Sequence, residues 1–207
     1  MQVRRVTGFA LALGLLAAPT AGAAQQTVLG RAFLVRDPLP GVNPSKRSVV
    51  VKGRERPTDG TFVGDPLANG ATLTVIANGA TSTSQTYALP PGAYAAPPFA
   101  GWKVSIGATG TSAKYLDKLG TNGPVRVLRL KITATAAAFV AVVDGKNGSV
   151  DVLPPDPGTD GGAIFTITGG DAYCFAFGGA AGGLVGNVAN EAFKIVKPTA
   201  EGCPATP

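Results

Sequence analysis

Along much of this chain apolar and polar residues alternate with the two-residue period of a half-buried strand, not the 3.6-residue period of a helix. Residues 71–77 (ATLTVIA) are the cleanest case, with Leu73 and Val75 on one face and Thr72 and Thr74 on the other. Residues 125–133 (VRVLRLKIT) form the longest such run. Further strands are predicted over residues 27–35, 48–52, 83–89 and 102–106. Residues 138–143 and 149–153 read as a hairpin across Asp144-Gly145-Lys146-Asn147-Gly148, and residues 163–168 and 172–177 as another around Gly169-Gly170-Asp171. Two segments break the pattern. Residues 112–119 read as a helical turn. Val185, Val188, Ala189, Ala192, Phe193 and Val196 recur at helical spacing, although residues 193–196 suit a strand equally well.

Composition sharpens this picture. The 29 glycines and 17 prolines sit between the short apolar runs, where they punctuate turns. Charged residues are 14% of the chain, against about 25% in ordinary soluble domains. About ten short strands with Pro/Gly turns predict an all-β fold, a β-sandwich of jelly-roll-like type. An internal echo suggests two imperfectly duplicated halves. Asp65-Pro66 leads through Asn69-Gly70 into the strand at 71–77, and Asp156-Pro157 leads through Gly161-Gly162 into that at 163–168. Basic-apolar strands lie upstream of both, at 47–52 and 126–131.

The N-terminus reads differently. Arg4 and Arg5 precede an uncharged run from Phe9 to Ala18, and Ala21-Gly22-Ala23 follows as a small-x-small step. This is the pattern of a secretory signal peptide cleaved near Ala23. The apolar run is about half the ~20 residues a membrane span needs. The expected organisation is a signal peptide over 1–23 and one β-sandwich domain over 24–207, exported to the periplasm or the extracellular space, with no membrane span.

The chain has no histidine and only two cysteines. That excludes His-dependent nucleophilic catalysis, His-ligated zinc and four-cysteine metal sites. No phosphate-cradling or nucleophile motif is present, and the glycine run 178–183 lacks a β-α-β context and reads as a flexible loop. No cofactor is expected. In an exported chain, Cys174 and Cys203 read as one structural disulfide pinning the C-terminal tail.

Three clusters remain as ligand candidates. Lys46, Arg47, Lys52, Arg54 and Arg56 are the densest basic group, with Arg126, Arg129 and Lys131 as neighbours. They suit an anionic partner such as an acidic polysaccharide, or the guarded edge of a sheet. Nucleic acid is not expected, because no aromatic residue interleaves them. Asp151, Asp156 and Asp160, with Asp144, offer oxygen ligands for calcium or a plain turn. Tyr94, Phe99 and Trp102, with Tyr87 nearby, offer sugar-stacking rings, although a tryptophan opening a strand is more often core. The glutamates are Glu55, Glu191 and Glu201, too few and too scattered to read as a glycosidase pair.

The order of features resembles a group of exported bacterial β-rich proteins of unknown function. Lys46-Arg47 opening a Val-rich strand, the Asp65-Pro66 to Gly70-Ala71 step, Tyr173-Cys174-Phe175-Ala176-Phe177-Gly178-Gly179 and Cys203-Pro204 carry that resemblance. It implies an exported β-rich domain with a terminal disulfide, and no activity. The expected function is a non-enzymatic binding or structural role, with a polysaccharide or an envelope protein as partner. The alternative is a carbohydrate-binding module or an Asp-based carbohydrate-active enzyme.

Overall fold

The computed structural model describes residues 23–207, so the predicted signal peptide, Ala23 apart, lies outside the described residues. Two sheets pack face to face. The strands are β1 (Gln25–Thr27), β2 (Gly30–Arg36), β3 (Ser48–Glu55), β4 (Ala71–Gly79), β5 (Thr83–Leu89), β6 (Ala100–Gly107) and β7 (Gly110–Asp117). They continue with β8 (Val125–Thr133), β9 (Ala136–Asp144), β10 (Gly158–Ile167), β11 (Ala172–Gly178), β12 (Leu184–Val188) and β13 (Ala192–Val196). The small sheet has the order β1-β11-β10-β4-β5 and the large sheet β12-β13-β2-β3-β9-β8-β7-β6. Every pair is antiparallel except β1–β11. The all-β sandwich expected from the alternation is what forms.

The core lies between the sheets, built largely from alternate residues of strands such as β3, β4, β8 and β9 and from the nearly continuous buried run of β11. Phe139 stacks on Phe175 at 4.1 Å and meets Phe165 at 6.0 Å, while Phe33 joins Phe177 and Phe193 at 5.5 and 5.9 Å. Gly30 and Gly53, paired across β2 and β3, make room for these rings. A Cβ on Gly53 would sit 2.6 Å from the Phe175 ring, and one on Gly30 2.5 Å from that of Phe177. The missing side chains are therefore a packing requirement of the facing sheet.

Several local expectations are corrected. The strand predicted over 27–35 is two strands in different sheets, because the chain crosses the sandwich at Val28-Leu29 with Val28 buried. Residues 112–119 are not a helical turn. Residues 112–117 lie in β7, whose inward set Ala113, Tyr115 and Asp117 is buried, and Lys118 and Leu119 form the bend that follows. The helical spacing over 185–196 resolves into the hairpin β12–β13. The predicted pairing of 138–143 with 149–153 does not form, since β9 pairs with β3 and β8. Val150 and Val152 are buried, but their segment runs beside β5 on side-chain bonds. Gln85 binds the main chain of Ser149 and Asp151, and Thr83 that of Leu153.

The two Asp-Pro steps have different local structures. Asp65 caps a short helix, α1 (Pro66–Asn69), whereas Asp156-Pro157 runs directly into β10. The strands that follow them, β4 and β10, are antiparallel neighbours at the centre of the small sheet, and the basic strands β3 and β8 flank β9. The glycine run contains a 3-10 turn at Gly179–Ala181. The Cys174–Cys203 disulfide is present and straps the tail to β11, and Asn78 Nδ2 on β4 donates to Ala205 O at 3.0 Å.

Candidate functional site

Strand alternation buries one face of the large sheet and turns the other to solvent, and the register decides which charges meet there. Lys103 on β6 lies directly opposite Lys114 on β7, and Lys114 opposite Arg129 on β8. The same row continues through Val140 on β9 to Lys52 on β3. The adjacent row runs Ser105, Ser112, Lys131, Ala138, Arg54 across the same five strands. Arg36, Arg126 and Lys194 add further outward bases, and Lys103 to Lys52 spans four strand spacings of about 4.8 Å each. Asp144 is the one outward carboxylate on this face among the described residues, and it sits at the end of β9, 3.8 Å from Arg126.

This arrangement revises the reading of the basic cluster as an edge guard. β3 is interior to the large sheet, so Lys52 and Arg54 do not protect an edge. The cluster also divides. Arg47 turns inward, its Nε donating to Asp37 Oδ2 at 2.9 Å and a terminal nitrogen to Val150 O at 3.1 Å. Lys46 and Arg56 are exposed outside β3. Arg129 and Lys131 lie near Lys52 and Arg54, with β9 between. Lys103 and Lys114 escape the sequence reading, because a helical turn at 112–119 hides the register. Reading Ala113 and Tyr115 as an inward pair places Lys114 outward between two strands that also carry outward bases.

The aromatic region comes apart. Trp102 is 1% exposed, its indole N–H donating to Pro90 O at 2.9 Å and its ring meeting Tyr115 at 5.1 Å. It is a core residue and offers no surface to a sugar, which removes it from the ligand region. Tyr87 is buried too, its hydroxyl donating to Gln85 Oε1, and burial followed by the charge of Asp151 raises its pKa well above the ordinary value. Tyr94 is half-buried, with the Lys103 ammonium 4.4 Å from its ring centroid, so it steadies one end of the basic row. Phe99 remains 37% exposed.

The aspartates do not converge. Asp144 ends β9 of the large sheet while Asp160 lies in β10 of the small one. Asp151 accepts from Ser149 Oγ, and Asp160 from Asn78 Nδ2 and Thr159 Oγ1. Among the described residues no group of three or more acidic or cysteine side chains is placed to hold a metal ion, so the calcium reading loses its geometry. Glu55 is buried at the end of β3, with Glu201 and Asp59 near enough to act on its charge.

A scan against protein-family models and searches of curated proteins and of solved structures return no match to this chain.

Proposed function

We propose that this is an exported, non-enzymatic binding protein whose outer large-sheet face holds an acidic polysaccharide. The observation that carries the reading is the cross-strand triplet Lys103, Lys114 and Arg129. Like charges directly opposite one another destabilise a sheet, and here no carboxylate intervenes. A face that keeps this repulsion is suited to a partner that brings the missing negative charge. The serine hydroxyls of Ser105 and Ser112 beside the triplet add hydrogen-bonding groups for sugar oxygens. Few aromatics border the face, which favours a charged glycan over a stacked single-stranded nucleic acid. The disulfide and the leader-like N-terminus support export.

The test is binding of the purified protein to polygalacturonate and dextran sulfate, with neutral dextran and single-stranded oligonucleotide as comparisons. Both acidic glycans bind at low salt, more weakly as salt rises, and neutral dextran does not. Replacing Lys103, Lys114 and Arg129 together by Gln costs roughly tenfold in affinity, three solvent-facing charges at about 0.5 kcal/mol each. Absence of glycan binding at low salt, or preference for the oligonucleotide, refutes the reading.

A further inference from the structure

Asp171 lies in the turn between β10 and β11 and is 0% exposed. Its Oδ2 accepts from Gln26 Nε2 at 2.7 Å, Val63 N at 2.8 Å and Thr61 Oγ1 at 3.1 Å, and lies 3.3 Å from the Tyr173 hydroxyl, which donates to Thr61 O at 2.8 Å. Burial, and then the charge of Asp171, holds that hydroxyl well above its ordinary pKa, so it stays a donor. The other oxygen, Oδ1, accepts one bond, from the main-chain N–H of Ala24 at 2.9 Å. A buried carboxylate ordinarily has a cationic partner. Among the described residues the ion pairs are Arg47–Asp37 and Arg126–Asp144, and neither serves Asp171.

The group at Oδ1 is one residue past the small-x-small step Ala21-Gly22-Ala23. Ala23 and Ala24 are exposed, so a peptidase can reach the bond between them. Ala24 is nevertheless anchored by its main chain, since Ala172 N donates to Ala24 O at 2.9 Å and β1 pairs with β11 from Gln25 onward.

We infer that Asp171 is the receptor for the α-ammonium group of the processed chain, and that hydrolysis of the Ala23–Ala24 bond supplies the cation this buried carboxylate lacks. The inference rests on the reading of the protein as exported. Water adds to the Ala23 carbonyl carbon and the C–N bond breaks. Ala23 departs as a carboxylate, and Ala24 keeps its nitrogen as an amine that takes up a proton near neutral pH. The amide donor at Oδ1 becomes an ammonium, and a hydrogen bond becomes an ion pair. Any residue left ahead of Ala24 keeps the nitrogen an amide and withholds the charge. Processing thereby finishes the edge of the small sheet where β1 lies.

The experiment expresses the full 207-residue chain in a bacterial host, recovers it from the periplasm and medium, and reads the N-terminus by intact mass. The chain is expected to begin at Ala24. Its thermal midpoint is then compared with that of the same protein acetylated at the α-amine. The free form melts several degrees higher below about pH 8, and the gap closes as rising pH deprotonates the amine. The charged groups around Ala24 are Asp171 and, along the neighbouring groove, Asp59 and Glu201, while Tyr173 stays neutral across this range. In Asp171→Asn the free and acetylated forms melt together, which separates the ion pair from any general effect of acetylation. Export with cleavage at another bond, or equal midpoints for the free and acetylated forms, overturns the inference and leaves export standing. Retention of the uncut chain in the cytoplasm overturns the export reading itself.

Discussion

Replacing Lys114 by Gln should stabilise this protein while weakening the binding proposed for it. Lys114 is flanked on both sides, by Lys103 on β6 and Arg129 on β8, in direct cross-strand register. Directly opposed charges interact by about 0.2–1 kcal/mol per pair, and exposure keeps such terms toward the low end. The Lys103 ammonium is already drawn over the Tyr94 ring, which lowers its share. Relief of both pairs therefore comes to about 0.5–1 kcal/mol. For a domain of this size that raises the midpoint by about 1–4 °C. Calorimetry at low ionic strength reads the gain. It should shrink at 1 M salt, where the screening length falls to about 3 Å. Lys194→Gln is the control: Lys194 faces Leu34 and Gly186 across its strand pairs, so its removal relieves no like-charge pair. A lower midpoint for Lys114→Gln at low salt, or a gain that persists at 1 M, would refute the reasoning that the face stores repulsion.

Two further outcomes follow from buried features. Cys203→Ser opens a loop with a sequence separation of 29, worth about 3–4 kcal/mol by chain entropy, and loosens the Asn78–Ala205 and Thr27–Glu201 bonds. Urea unfolding should show that loss as a lower midpoint, and a loss under about 1 kcal/mol would mean the tail is held without the bond. Burial, supported by Glu201 and Asp59 and opposed by a Thr58 hydrogen bond, raises the Glu55 carboxyl above 4.5, so the folded state keeps that proton longer than the unfolded chain. Its contribution is full below 4.5 and is lost as pH rises through the higher folded value. Glu55→Gln should flatten that decline in midpoint as pH rises above 4.5, and an unchanged slope would count against it.

The strands that the sequence displays well are those whose inward set is wholly apolar. β8 matches its predicted bounds, and β4 and the β10–β11 hairpin follow the alternation and turn residues expected of them. Legibility failed where a polar residue faces inward or an apolar one packs without pairing. β7 buries Asp117, whose carboxylate accepts from the main chain of Thr121 and Asn122, and that single inward charge breaks the pattern. Val150 and Val152 alternate like a strand, yet their neighbour β5 reaches them through Gln85 and Thr83. Half of the basic face was visible as the cluster on β3 and β8. The rest depended on which strands adjoin, information that no local window holds. Asp171 read as an ordinary turn residue, because its donors come from residues 24–26 and 61–63, far away in the chain.

The pairing of β1 with β11 also dictates a timetable. Ala24 and Asp171 are 147 positions apart, so at 5–20 residues per second the first strand waits roughly 7 to 30 s after leaving the ribosome before its partner exists. Through that interval the leading segment has no edge to join and no carboxylate to receive it. A leading strand that can be seated only by a segment made so much later stays threadable for most of synthesis, which suits the export proposed above.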